Sequence, residues 1–76
     1  EPMGVLEDLA DKLAQDVLAA AEKTGDDTLV EMISRELGSS SQTTQEAFNT
    51  AIRMRTAEAR ARVALEERLK KHTGGG

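Results

Sequence analysis

Hydrophobic residues recur every three or four positions from Val5 to about Thr24. This spacing is typical of an amphipathic helix, because it places the apolar side chains on one face. That face consists of Leu6, Leu9, Leu13, Val17 and Ala20, widened by Ala10, Ala14, Leu18 and Ala21. Gly25 follows directly and can close a helix in the left-handed conformation. The pattern therefore predicts a first helix over residues 5–24.

A shorter apolar pattern follows two acidic turn residues and predicts a second helix over residues 28–37. Thr28 and Glu31 have the spacing of a capping box, in which each side chain bonds a backbone amide near the start of the helix. The apolar face consists of Leu29, Val30, Ile33 and Leu37. Gly38 is expected to end this helix, and residues 39–42 are expected to form a polar linker.

The last apolar pattern runs for almost thirty residues without a proline or glycine and predicts a third helix over residues 43–72. Thr43 and Glu46 form a second candidate capping box. At about 100° per residue, the apolar side chains fall into two bands roughly 130° apart. One band consists of Ala47, Ala51, Met54, Ala61, Leu65 and Leu69, and the other of Phe48, Ile52, Ala59 and Val63.

The predicted third helix is longer than either of the other two. At about 1.5 Å per residue, the third helix is roughly 43 Å long, the first roughly 30 Å and the second roughly 15 Å. The sequence therefore predicts an all-α fold of three helices with a long C-terminal helix, arranged as an antiparallel helical hairpin or bundle and completed by dimerisation. The predicted self or partner interface consists of Met54, Ala61, Leu65 and Leu69.

The chain is short enough to form one domain at most. We expect a disordered or cloning-derived start at residues 1–4, a single helical domain over residues 5–72 and a flexible glycine tail at residues 73–76. No apolar run is long enough to cross a membrane, and the start lacks the pattern of a signal peptide. The cytoplasm is the expected location.

The net charge of −4 is unevenly distributed. Residues 1–41 contain ten acidic and three basic residues, whereas residues 42–76 contain four acidic and seven basic ones. This asymmetry favours either pairing of the two halves, within one molecule or across a dimer, or a basic surface for an acidic partner. The chain has no cysteine and a single histidine, His72, so we expect no catalytic residues, metal ligands, cofactor or small-molecule ligand.

Residues 33–48 carry a short helix that ends in Glu-Leu-Gly, a small polar turn, and a helix that opens with Gln and Thr. This stretch resembles the helix-turn-helix of bacterial DNA-binding proteins. The resemblance implies DNA contacts from Gln42, Thr43, Gln45, Asn49, Arg53 and Arg55. It departs from that pattern at Ser39, where an apolar residue usually packs the turn, and in the length of the second helix.

Two functions therefore stay open. The favoured prediction is a small non-enzymatic helical module for protein–protein interaction or oligomerisation, such as an adaptor, a chaperone-like protein or a regulatory subunit, whose partner is itself or another protein. The alternative is a DNA-binding transcriptional regulator that uses residues 28–55. A membrane-surface role is disfavoured because the basic C-terminal part lacks Trp or Phe anchors.

Overall fold

The computed structural model describes residues 4–73, and this part of the chain forms three helices: α1 (Val5–Thr24), α2 (Leu29–Ser40) and α3 (Gln42–Thr73). The predicted all-α fold with a long C-terminal helix is confirmed. Residues 1–3 and 74–76, which carry most of the predicted start and glycine tail, lie outside the described residues. Gly4 immediately precedes α1, and Thr73 is the last residue of α3.

The end of α1 follows the prediction. Gly25 has a φ of 74°, in the left-handed region, and its amide donates to the carbonyl oxygen of Ala21 at 2.8 Å. A glycine reaches this conformation without the steric cost that a Cβ atom would impose. The boundary of α1 is therefore set by the glycine that the sequence places there.

The predicted capping box at the start of α2 is wrong. The hydroxyl of Thr28 donates to Oδ1 of Asp26 at 2.6 Å, and the amide of Thr28 donates to the same oxygen at 2.9 Å. Thr28 makes no side-chain bond to the start of the helix. The carboxylate two residues earlier is a charged and therefore stronger acceptor, so it forms a local turn in place of the cap. These hydrogen bonds lower the pKa of Asp26.

Two further predictions around α2 are also wrong, because Gly38 does not end the helix and the predicted linker is mostly helical. The helix continues to Ser40, which leaves Ser41 as the single residue between α2 and α3. A Cβ atom at Gly38 would lie 2.7 Å from the side-chain amide of Gln45. The glycine therefore leaves room for the side chain of Gln45 where α3 packs on α2.

The start of α3 is capped by Ser41, so the predicted capping box of Thr43 and Glu46 is wrong. Ser41 has extended backbone angles, and its Oγ accepts from the amide of Thr44 at 3.1 Å. The hydroxyls of Ser41 and Thr44 are also hydrogen-bonded to each other, at 2.9 Å. This geometry is that of a helix N-cap, and it moves the start of α3 to Gln42.

We expect the change Ser41→Ala to lower the free energy of unfolding by about 1 kcal/mol, the usual cost of losing an N-cap. Thr43→Ala is the matched control, since the Thr43 side chain is exposed and makes no cap. Urea denaturation followed by circular dichroism measures both variants. Equal losses in the two variants would contradict the assignment of Ser41 as the cap.

The core lies where α1 crosses the first half of α3. Its buried members are Ala10, Ala14, Val17 and Phe48. The two alanines allow the backbones of α1 and α3 to approach closely. The ring of Phe48 is 0% exposed and packs between these two helices. Partly buried side chains surround this centre: Leu13, Leu29, Val30, Ile33, Leu37, Ala47, Ala51 and Ile52.

α2 packs antiparallel to the first part of α3, as predicted. The hydroxyl of Ser34 donates to Oδ1 of Asn49 at 2.8 Å, and the side-chain amide of Gln45 donates to the carbonyl oxygen of Ser34 at 2.9 Å. Gly38 lies beside Gln45, one helical turn further along α2. Because later residues of α2 meet earlier residues of α3, the two helices form a hairpin.

Candidate interaction surface

The second half of α3 extends beyond α1 and α2. All 16 residues from 57 to 72 are exposed, and we call this stretch the outer segment. It carries three large apolar side chains that are each more than half exposed: Val63 at 53%, Leu65 at 55% and Leu69 at 53%. The packing of α1 and α2 ends with the half-buried residues Arg55 and Thr56.

The outer segment is helical for local reasons. It is rich in alanine, leucine, glutamate and arginine, which all have high helix propensity. It also continues a helix that is already anchored by Phe48, so it avoids the unfavourable nucleation step. Within it, the guanidinium of Arg62 pairs with the carboxylate of Glu58 one turn earlier, and this hydrogen bond raises the pKa of Arg62.

A groove of about 760 Å³ lies between the start of α1 and the first half of α3. Its α3 side runs from Thr43 to Glu58. The apolar part of the lining consists of Leu6, Ala47, Ala51 and Met54. The charged part consists of Glu7, Asp11, Glu46, Arg55 and Glu58. The groove therefore combines an apolar floor with a rim that is predominantly acidic.

An ion pair at the edge of this groove ties α1 to α3. Nε of Arg55 donates to Oδ1 of Asp11 at 2.6 Å, and Nη2 of Arg55 donates to Oδ2 at 2.6 Å. This bidentate geometry is the stronger form of an arginine–carboxylate pair. The hydrogen bonds lower the pKa of Asp11 and raise the pKa of Arg55. The pair is one instance of the acidic half of the chain binding the basic half within one molecule.

This ion pair predicts a specific pH dependence of stability. The folded-state pKa of Asp11 lies below its ordinary value of 3.8, so its contribution is fully present above that value and is lost as the pH falls through the folded-state pKa. We expect Asp11→Asn to lower the melting temperature at pH 7 and to reduce the further loss below about pH 4. Part of the acid-induced loss should persist, because the pKa of Asp26 is lowered as well.

Thermal melts of both proteins between pH 7 and pH 2 measure this effect. Reversibility at each pH is checked by a second scan. The same acid-induced fall in the variant and the unchanged protein would contradict a stabilising role for the Asp11–Arg55 pair.

The four residues predicted to form the interface lie along one side of α3. Met54 is 67% exposed, Ala61 is exposed, and Leu65 and Leu69 are each more than half exposed. At about 100° per residue, they continue the line of Ala47 and Ala51 in the groove floor. We call this line, residues 47, 51, 54, 61, 65 and 69, the α3 stripe, and Glu58 lies on the same side between its two parts. The first part of the stripe, residues 47, 51 and 54, therefore lines the groove. The second part, residues 61, 65 and 69, forms a protruding ridge.

The second predicted band on α3 is divided by the fold. Phe48 is buried and Ile52 half-buried against α1 and α2. Ala59 and Val63, which continue the same band, are exposed. The second band is therefore covered within the chain in the first half of α3 and exposed in the outer segment.

The residues implied by the helix-turn-helix resemblance do not share one exposed face. Gln45 and Asn49 are half-buried and hydrogen-bonded to Ser34 of α2. Arg55 is paired with Asp11, an acid of α1. The three exposed members are Gln42, Thr43 and Arg53.

Two of these exposed members share one side of α3, and the third lies on another side. Thr43 lines the groove, whereas Gln42 and Arg53 lie roughly 80–100° away around the helix. The polar turn is absent as well, since α2 includes Ser39 and continues to Ser40. The structure therefore leaves three of the six residues, Gln42, Thr43 and Arg53, exposed for contact with DNA, and DNA binding stays a prediction.

Within residues 4–73, no group of three or more His, Asp or Glu side chains has the geometry to hold a metal ion. None of the three helices described here combines the length and apolar content needed to cross a membrane. What sequence reasoning missed is the groove, in particular its α1 wall of Leu6, Glu7 and Asp11. No local signal marks these residues, because their role depends on where α1 crosses α3.

Comparisons of this chain with models of protein families, with curated proteins and with solved structures found no match.

Proposed function

We propose that this chain is a non-enzymatic helical module that binds another protein chain through the outer segment of α3. The observation that carries the proposal is the exposure of Leu65 and Leu69, one turn apart on the same side of a helix that extends past the rest of the domain. Apolar side chains gathered on an exposed surface are typical of interaction sites, since leaving them in water forfeits the free energy of burial.

The total surface of the chain supports the same conclusion. Its accessible area is 5997 Å². A compact monomer of this mass is expected to expose about 4500 Å², so the excess is roughly 1500 Å². A stable protein–protein interface buries about 800 Å² from each partner. The excess surface is therefore large enough to supply one such interface.

The shape of the molecule explains where the excess comes from. The Cα atoms span 55 × 35 × 14 Å, and the shortest of these dimensions is about that of two packed helices. A domain only two helices thick has a thin core and leaves most of each helix in contact with solvent. A partner laid along α3 would add the missing layer.

The charges of the outer segment indicate the kind of partner. The outer segment contains five basic and three acidic side chains around the exposed leucines. A basic amphipathic helix fits an apolar groove with an acidic rim, which is a common mode of helix recognition between proteins. We therefore propose a protein surface of that chemistry as the partner.

A photo-cross-linking amino acid placed at position 65 tests this function in the cells that make the protein. We expect a covalent adduct with another polypeptide, either a second copy or a different protein, after illumination. The same amino acid at position 19, on the exposed face of α1, is the matched control. The proposal fails if position 65 and the neighbouring positions 61 and 69 give no more adduct than position 19.

A further inference from the structure

We infer that the partner is a second copy of this chain, bound so that the outer segment of each copy lies in the groove of the other. This inference rests on the proposed function and specifies the partner of the same surface. In the inferred dimer, the two α3 helices are antiparallel and are related by a twofold axis near the middle of α3. Each copy then contributes one ridge and one groove.

The groove and the outer segment have the same length. The groove is lined by α3 residues between 43 and 58, and the outer segment occupies residues 57–72. Each stretch spans 16 residues, or about 24 Å at 1.5 Å per residue. Because the two stretches adjoin on one helix and overlap by two residues, a twofold axis level with Thr56 places residues 57–69 of each copy along residues 43–55 of the other copy's groove. Such a self-complementary interface closes at two subunits.

Large and small residues are arranged along the α3 stripe so that two antiparallel copies complement each other. A twofold axis level with Thr56 brings position 47 of one copy opposite position 65 of the other, and position 51 opposite position 61. Ala47 therefore meets Leu65, and Ala51 meets Ala61. Small residues in the groove provide room for the leucine of the ridge and allow the two helices to approach closely.

The charges of the two stretches are also complementary. The groove rim contains four carboxylates and one guanidinium, whereas the outer segment contains five basic and three acidic side chains, with Glu58 counted in both. Seating the basic ridge in the acidic groove pairs opposite charges twice, once at each end of the dimer. Parallel α3 helices would instead place the two basic halves side by side, which costs free energy.

Engineered disulfides test the alignment, and the chain offers a clean background because it contains no cysteine. Purified full-length Ala47→Cys protein is mixed with Leu65→Cys protein and oxidised. We expect a mixed 47–65 disulfide in at least about tenfold excess over the mixed product of Ala47→Cys with Val63→Cys, because the latter sulfurs lie on different sides of α3 and beyond disulfide reach. Circular dichroism checks that each variant is folded.

A second pair, Ala51→Cys with Ala61→Cys, tests the same register if Ala47→Cys fails to fold. Disulfides between two copies of Ala47→Cys as the main product would overturn the inference, since they indicate parallel helices. A monomeric mass at every concentration, without mixed disulfides, would also overturn it. The proposed function would survive that result if position 65 still cross-links to a different protein in cells, so the two failures are distinguishable.

Discussion

Phe48→Ala is expected to unfold this domain. Phe48 is the only aromatic residue of the chain, and its side chain is 0% exposed between α1 and α3. Truncating a buried phenylalanine to alanine typically costs about 3–5 kcal/mol, from lost burial and from the cavity that remains. Small domains lie at the low end of the usual stability range of about 5–15 kcal/mol. The loss is therefore comparable with the entire stability of the fold.

Circular dichroism at 222 nm during heating measures this effect. We expect Phe48→Ala to lack a cooperative transition and to lose most of its helical signal. Val63→Ala is the control, because it shortens an apolar side chain on the same helix at an exposed position. A melting temperature for Phe48→Ala within a few degrees of the unchanged protein would show that the core does not depend on this ring.

Helix positions could be predicted well because the information is local. The periodicity from Val5 to Thr24 and the following Gly25 specify α1 to the residue. The uninterrupted stretch after Thr43 specifies a single long helix, and the structure contains one. In each case a few adjacent residues determine the backbone conformation, so tertiary contacts do not need to be known.

Helix caps could not be predicted as well, because several side chains compete for the same backbone groups. Residues 39–44 are all serine, threonine or glutamine, and any of their hydroxyls could start α3. Ser41 starts α3, because its Oγ accepts from the amide of Thr44. Its own amide donates to the carbonyl oxygen of Leu37, one turn earlier in α2. The hydroxyl of Thr28 likewise donates to Asp26 and does not cap α2. Sequence spacing alone does not show which of several nearby side chains forms the hydrogen bond.

The candidate site also has one part that could be predicted from the sequence, the outer segment, and one part that could not, the groove. The exposure of the outer segment follows from the predicted helix lengths, since α3 is longer than either helix that packs on it. The groove forms where α1 crosses α3. This crossing brings together residues that are far apart in sequence, such as Asp11 and Arg55. Charge asymmetry indicated that the two halves attract each other, but it did not identify which acid meets which base.

The inferred dimer makes Leu65→Asp the most informative surface change. Leu65 is 55% exposed in the single chain and is placed in the centre of the ridge, opposite Ala47 of the second copy. Replacing a central apolar contact with a charge should cost at least about 2 kcal/mol of association free energy, or roughly a thirtyfold increase in Kd. The carboxylate would also lie against an acidic rim, which adds repulsion.

Val63→Asp is the matched control, because Val63 is 53% exposed on the same segment but lies roughly 160° around the helix. Sedimentation equilibrium over a range of concentrations should show the Val63 variant dimerising as the unchanged protein does, while the Leu65 variant stays monomeric. Both side chains are exposed in the single chain, so neither change should disturb the fold, and circular dichroism verifies this. Equal weakening by the two substitutions would mean that the contact surrounds the outer segment, which a pair of ridges seated in grooves does not allow.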